Sequence, residues 1–192
     1  MTSLRLSDNL TTIGNSAFSG CTGLMSISIP DDVISLGNNV FMSCTGLKSI
    51  TIPANLTSMG EYAFNGCSNL AIVNILANGL TKISYHAFEN CVSLTSISLP
   101  NDLTSIGQNA FSGCANLVSI SIPDGVTTID NYAFSGCKLL TNIKMPNSLE
   151  SIKGYAFYGC RSLANILLPE GFVPFPINVP FPINEVNPKS WT

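Results

Sequence analysis

Seven cysteines and one histidine are the residues of this 192-residue chain whose types reach furthest into chemistry. Cys21, Cys44, Cys67, Cys91, Cys114, Cys137 and Cys160 raise two possibilities, a metal cluster or disulfides. Zinc sites draw on Cys or His pairs about two to four residues apart. Here every cysteine stands alone in its own stretch, so no metal site is expected. Disulfides stay open on geometry, because equivalent residues of stacked segments would lie about 4.8 Å apart, within reach of a bridge. Parallel side chains in register point the same way, however, and an odd number leaves one thiol over. Buried, reduced thiols that pack as small apolar residues are the expectation, and the redox compartment stays open.

His86 is the sole histidine, so it is the only group that could serve as a neutral-pH base for a serine or cysteine nucleophile. It occupies the place that Tyr62, Asn109, Tyr132 and Tyr155 fill elsewhere, which marks it as a member of a structural column. Asp31, Asp32, Asp102, Asp124 and Glu170 follow or adjoin prolines and could line one edge with calcium-binding oxygens. Turn chemistry accounts for the same residues without a metal. No glycine-rich phosphate loop, paired-carboxylate motif or Cys-x-x-Cys occurs. The chain is therefore expected to use no cofactor and not to be an enzyme.

The elements that carry these residues follow from a period. Successive cysteines are separated by 23, 23, 24, 23, 23 and 23 residues. Phe18, Phe41, Phe64, Phe88, Phe111, Phe134 and Phe157 each precede a cysteine by three positions, and Leu24, Leu47, Leu70, Leu94, Leu117, Leu140 and Leu163 each follow one by three. Next come Ile27, Ile50, Val73, Ile97, Ile120, Ile143 and Ile166, and two positions on Ile29, Ile52, Ile75, Leu99, Ile122, Met145 and Leu168. The change of spacing from three to two is the passage from a turn into a strand with alternate side chains inward. Proline closes the strand at Pro30, Pro53, Pro100, Pro123, Pro146 and Pro169, where its missing N–H and fixed φ suit a strand end.

One coil is thus a strand, a proline turn, a short second extended segment such as Thr127 to Ile129, and a brief helical or 3₁₀ turn carrying Ala-Phe and Cys. No coil can bury its inward residues alone. Stacking places like on like and makes one continuous core. The third coil carries one extra residue near Asn78-Gly79 and has Leu76 in place of proline, so a bulge is expected there.

The pattern L-x-x-I-x-I-P-x-x-V-x-x-I-G-x-x-A-F-x-x-C-x-x-L, read from "LMSISIPDDVISLGNNVFMSCTGL" and "LVSISIPDGVTTIDNYAFSGCKLL", resembles the BspA-like class of leucine-rich repeats over roughly residues 4 to 172. The resemblance implies a right-handed, β-rich α/β solenoid with a parallel sheet on its concave face. It also implies surface-exposed or secreted proteins that act in adhesion and host interaction. It carries no shared catalytic residues, and ligands differ between members.

Composition agrees with a binding rod. Only 10% of residues are charged against 45% hydrophobic, net charge is -3, and the eight basic residues form no run. Nucleic acid is therefore not an expected partner. No run of about 18 apolar residues is present, so no membrane insertion is expected. The N-terminus has no basic region followed by an apolar stretch. Because Leu4 and Leu6 occupy core positions of a coil whose first part is missing, the chain is expected to be a fragment.

The outward strand positions are mostly small hydroxyls, which make a flat face able to donate and accept in many directions. Lys48, Thr51, Ile72, Asn74, Ser96, Ser98, Ser119, Ser121, Asn142 and Lys144 are the candidate contact residues for a protein or glycan ligand. Lys48, Ile72, Asn74, Asn142 and Lys144 depart furthest from the repeat. A solvated β-face of Ser and Thr chosen for stacking is the competing account of the same residues.

Residues 1–172 form the repeat domain, with seven full coils and an incomplete N-terminal one, and 173–192 a proline-rich tail. The tail repeats Val-Pro-Phe-Pro-Ile-Asn at 173–178 and 179–184, an extended ribbon with one apolar face that is expected to cap the last coil or to serve as a linker. The functional expectation is an adhesion and recognition module of a surface or secreted protein; an intracellular, cytoplasmic interaction scaffold is the alternative. The ligand and the oligomeric state are not specified by the residues.

Overall fold

The computed structural model describes residues 3–169 as a stack of coils with two strand-bearing sides and one side made of turns. The first side holds β1 (Ser3–Arg5), β3 (Ser26–Ser28), β5 (Ser49–Ile52), β7 (Ile72–Ile75), β9 (Ser96–Ser98), β11 (Ser119–Ser121), β13 (Asn142–Lys144) and β15 (Asn165–Leu167). The second side holds the two-residue strands β2 (Thr12–Ile13), β4 (Ser35–Leu36), β6 (Ser58–Met59), β8 (Lys82–Ile83), β10 (Ser105–Ile106), β12 (Thr128–Ile129) and β14 (Ser151–Ile152). All pairings are parallel and join equivalent residues of successive coils, as in Ser96↔Ser119↔Asn142. The first side is a six-stranded sheet from β5 to β15 beside the pair β1–β3; the second is a three-stranded sheet from β2 to β6 and a four-stranded one from β8 to β14. This is the leucine-rich repeat solenoid that the period predicts.

In β3, β5, β9, β11 and β13 exposed and buried residues alternate, and the inward set forms one continuous core. At its centre the phenylalanines stack. Phe41 and Phe64 are 5.3 Å apart between ring centroids, Phe88 and Phe111 5.5 Å, and Phe134 and Phe157 5.4 Å with planes 1° apart. Phe41, Phe64, Phe88, Phe111 and Phe134 are fully buried. An offset ring stack gains dispersion and quadrupole terms on both faces, so the interior rings hold the coils at a fixed rise.

The expected helical or 3₁₀ turn is not what forms on the third side. The residues two before each phenylalanine, Ser16, Asn39, Tyr62, His86, Asn109, Tyr132 and Tyr155, have φ between 54° and 58°. A left-handed residue cannot continue a right-handed helix. Just before each cysteine a second left-handed residue follows, as at Gly66, Asn90 and Gly113. The result is an alternating arrangement. Asn39, Phe41 and Ser43 donate their N–H groups to Glu61, Ala63 and Asn65 of the next coil, while Met42 and Cys44 donate back three residues. The inter-coil bonds satisfy backbone groups that a lone helical turn would leave open at both ends.

The irregular third coil divides the second side between β6 and β8. Leu76, unlike the prolines, has an N–H, and it donates to Ile52 O at 2.9 Å, so the first-side ladder runs one residue further. The tight turn that Leu56 and Leu103 close on Pro53 and Pro100 gives way to a bend at Asn78-Gly79. Past the bend, the Ser84 hydroxyl donates to Met59 O at 2.5 Å, in the place taken elsewhere by the N–H of Gly60 or Gly107. The tail expected to act as a cap lies outside the described residues, as does Glu170.

Candidate binding surface

The ten candidate contact residues fall on one face. Thr51, Asn74, Ser98, Ser121 and Lys144 are register partners in one row; Ile72, Ser96, Ser119 and Asn142 make the adjacent row, with Ser49 at its start. Lys48 sits just before β5, where its carbonyl accepts the Ala71 N–H at 2.9 Å. All ten are exposed, and Ile72 at 55% is an apolar side chain left open to solvent. The inward neighbours Ile50, Val73, Ile97, Ile120 and Ile143 anchor the same strands from beneath, so the outward residues are held on a rigid base. Met25 and Val118, 47% and 44% exposed, flank the rows and add apolar surface that the candidate set omitted.

The cysteines are placed for a different task. Among the described residues all seven are unbridged, and six are buried. Cys44, Cys67, Cys91, Cys114, Cys137 and Cys160 each aim Sγ at the carbonyl of the phenylalanine in the preceding coil, at 3.0 to 3.2 Å. A thiol that donates must keep its proton, and burial favours the neutral form. Burial pushes Cys44 up to about 11 and Cys67 up to about 12, and raises Cys91 and Cys114 as well. The Cys160 thiol and then burial raise Cys137. Thiolate chemistry is suppressed along the column. Cys21 is exposed, and among the described residues its thiol makes no such bond.

His86 stacks on Tyr62 with centroids 4.4 Å apart, and its Nδ1 lies 2.9 Å from Glu89 Oε2. That same oxygen accepts an N–H from Asn65 at 2.6 Å. Among the described residues no hydroxyl or thiol hydrogen-bonds the imidazole, so the parts of a nucleophile–base pair are not brought together. Asp31 and Asp32 border a shallow depression with Asp8, and among the described residues no group of acidic, His or Cys side chains has metal-binding geometry.

Tyr62, Tyr132 and Tyr155 stand in the sequence only as column members, and Tyr85 and Tyr158 lie outside that column. Tyr85, Tyr132, Tyr155 and Tyr158 are 38% to 52% exposed and form an aromatic edge on the turn side. Tyr132 and Tyr155 stack at 5.1 Å, Tyr158 meets Tyr155 edge-on at 5.9 Å, and Lys82 Nζ sits 4.0 Å from the Tyr85 ring. For Tyr132 and Tyr155 the recurrence of Tyr at one coil position was the available signal.

No helix among the described residues is long and apolar enough to cross a membrane. No curated protein matches the chain at a significant level. Among solved structures, a leucine-rich repeat protein from Eubacterium ventriosum is 28% identical, with a TM-score of 0.77 over 83% of this chain and 43% of that one. The chain thus spans less than half the length of that relative. The T. pallidum leucine rich repeat protein is 30% identical, with a TM-score of 0.66 over 90% of this chain and 72% of that one. The pneumococcal vaccine antigen PcpA, 19% identical with a TM-score of 0.63 over 89% of this chain and 51% of that one, shares the fold. Residues 1–116 and 81–178 match the BspA type leucine rich repeat region, in six copies. With its period, register and core thus shared, the chain belongs to the BspA-type leucine-rich repeat family.

Proposed function

We propose that this chain is a protein-recognition module of a surface-exposed or secreted protein, and that the six-stranded sheet is its contact face. The observation that carries the reading is the pair of registered, exposed rows in which Ile72, Asn74, Asn142 and Lys144 interrupt a field of Ser and Thr. Short side chains on a rigid sheet lose little conformational freedom when a partner lands, and so waste little of the contact free energy. Ile72 supplies an apolar anchor, and Lys48 and Lys144 supply charge at separated points of the face. Family membership supports a binding role for the repeat, and the adhesive role and surface location follow the family resemblance. The unpaired cysteines lend the intracellular alternative no weight, because six of them serve as buried donors inside the stack.

The test is binding to immobilised fibronectin, laminin and collagen and to a panel of host-cell surface proteins, with the wild type beside Asn74→Arg and Asn142→Arg. Saturable binding that both changes weaken at least tenfold, with unfolding midpoints unchanged, is the expected result. Partners that ignore both changes would remove the sheet from consideration. Protection of the full-length protein from added protease on intact cells would remove the surface location.

A further inference from the structure

We infer that Asn78-Gly79, the bend past β7, is a site of spontaneous covalent modification, where the Asn78 amide is lost and the peptide link is rebuilt in part through the side chain. The inference rests on a contrast within the molecule. Asn followed by Gly occurs twice in the chain, at 65–66 and at 78–79. The coils treat the two pairs in opposite ways.

At 65–66 the next coil holds the groups that would react. Asn65 Nδ2 donates to Glu89 Oε2 at 2.6 Å, and the Gly66 N–H donates to the Glu89 carbonyl at 2.8 Å. One residue thus pins both the amide that would leave and the nitrogen that would attack. At 78–79 the extra residue of the third coil opens the turn into a bend. Asn78 and Gly79 are exposed, and among the described residues neither the Asn78 side chain nor the Gly79 N–H makes a hydrogen bond. The Asn78 N–H reaches Ala54 O at 3.4 Å, which ties the main chain before the bend and leaves the link after it free. Glycine also lacks the Cβ that would shield its nitrogen from the preceding side chain.

The chemistry needs only water and hydroxide. The Gly79 nitrogen gives its proton to hydroxide and bonds to Asn78 Cγ, while Nδ2 takes up a proton from water and departs as ammonia. Hydroxide is thereby regenerated, and a five-membered imide remains. Water then opens the imide. Cleavage between Gly79 N and Cγ leaves Asp at position 78; cleavage between Gly79 N and the main-chain carbonyl carbon leaves an isoaspartyl link. A hydrogen bond on the attacking N–H opposes the first step twice, since it holds the proton and fixes the nitrogen. Gly66 carries that bond to Glu89 and Gly79 does not. Either product adds a carboxylate, and the isoaspartyl form lengthens the main chain by one carbon just past the strand that carries Ile72 and Asn74.

Incubation of the whole chain at pH 8 and 37 °C, with peptide mass mapping over time, tests this. Asn78 is expected to gain one mass unit at least tenfold faster than Asn65, and faster still at higher pH. The product should accept a methyl group from a protein-isoaspartate methyltransferase. In the urea-unfolded chain, where Glu89 holds nothing, the two pairs should react at similar rates. Gly79→Ala should slow the change at Asn78 at least tenfold; its Cβ would lie 3.1 Å from the flexible Thr57 methyl, so its urea midpoint is measured alongside. Asn78→Gln, which leaves Gly79 in place, should abolish the more acidic species on ion exchange. An Asn78 still intact in the folded chain once both pairs of the unfolded chain have reacted would overturn the inference. So would an Asn65 that keeps pace with Asn78 in the folded chain.

Discussion

The Sγ of Cys91 lies 3.2 Å from the carbonyl oxygen of Phe64, one coil earlier, and that same oxygen accepts the backbone N–H of Cys67 at 3.1 Å. Both lone pairs of a buried carbonyl are thereby used, one within the coil and one between coils. Cys91→Ala removes the second donor and leaves a small void in a fully packed site. The expected cost is about 1 to 2 kcal/mol of unfolding free energy. Cys91→Ser, which retains a donor, should cost less than Cys91→Ala, and Cys21→Ala close to nothing. Urea midpoints of the three variants check the order; equal losses at Cys21 and Cys91 would refute the donor role.

The raised thiols fix a direction for pH. In the unfolded chain a cysteine ionises near its ordinary value of about 9, whereas in the stack Cys44 and Cys67 hold their protons to about 11 and about 12. Between those values the folded state binds more protons than the unfolded one, so stability falls as pH rises. The contribution is complete below about pH 8 and is progressively lost from about pH 9 upward. Midpoints measured from pH 7 to 10.5 should decline at the alkaline end. In a thiol titration at pH 8, the exposed Cys21 should react quickly and the six buried cysteines only on unfolding. Rapid reaction of all cysteines in the native protein would contradict the burial of the column.

Phe111 is sandwiched between Phe88 and Phe134 and is fully buried, whereas among the described residues Phe18 has a ring neighbour only at Phe41. Truncation of an interior ring loses contacts on two faces and opens a cavity that the rigid backbone ladders cannot close. Phe111→Ala should therefore cost about 3 to 5 kcal/mol, and Phe18→Ala distinctly less. In a stack whose stability is carried by nearest-neighbour interfaces, the interior change should also divide unfolding into two steps. A single sharp transition with equal losses for the two variants would argue against a rigid column.

The period carried most of the fold. Phe, Cys and the strand isoleucines recur at fixed offsets, and only in-register stacking buries them all, so the core and the parallel pairing could be read directly. The turn could not. Nothing local in "NYAF" or "YHAF" requires a left-handed residue; it is required by the N–H groups of Tyr62 and His86, which donate to Tyr85 and Gln108 of the following coils. The candidate face was legible because strand alternation sorts its residues outward. The aromatic edge was not, because Tyr132 and Tyr155 look like core residues until the turn geometry turns them out. The carbonyl that receives each thiol was likewise hidden, since it belongs to a residue 26 or 27 positions away.

The third coil offers a test in which the repeat consensus should fail. Proline stands at the strand end in six coils and leucine at position 76. A consensus argument would restore proline there for stability, since it restricts the unfolded chain by about 0.4 to 1 kcal/mol. The structure argues the opposite, because Leu76 N–H donates to Ile52 O at 2.9 Å and Asn78 N–H reaches Ala54 O, bonds that hold the longer segment against its neighbour. Leu76→Pro deletes the first donor and leaves the Ile52 carbonyl without that partner, a loss of about 1 to 3 kcal/mol that exceeds the entropic gain. The Leu76 side chain is 54% exposed, so its removal adds little to the balance. Leu76→Pro is therefore expected to lower the urea midpoint, while Leu76→Thr, which keeps the N–H, leaves it near wild type. A stabilised Leu76→Pro would mean that the chain past β7 is free to adopt the turn of its sister coils, and that the extra residue there is absorbed without these bonds.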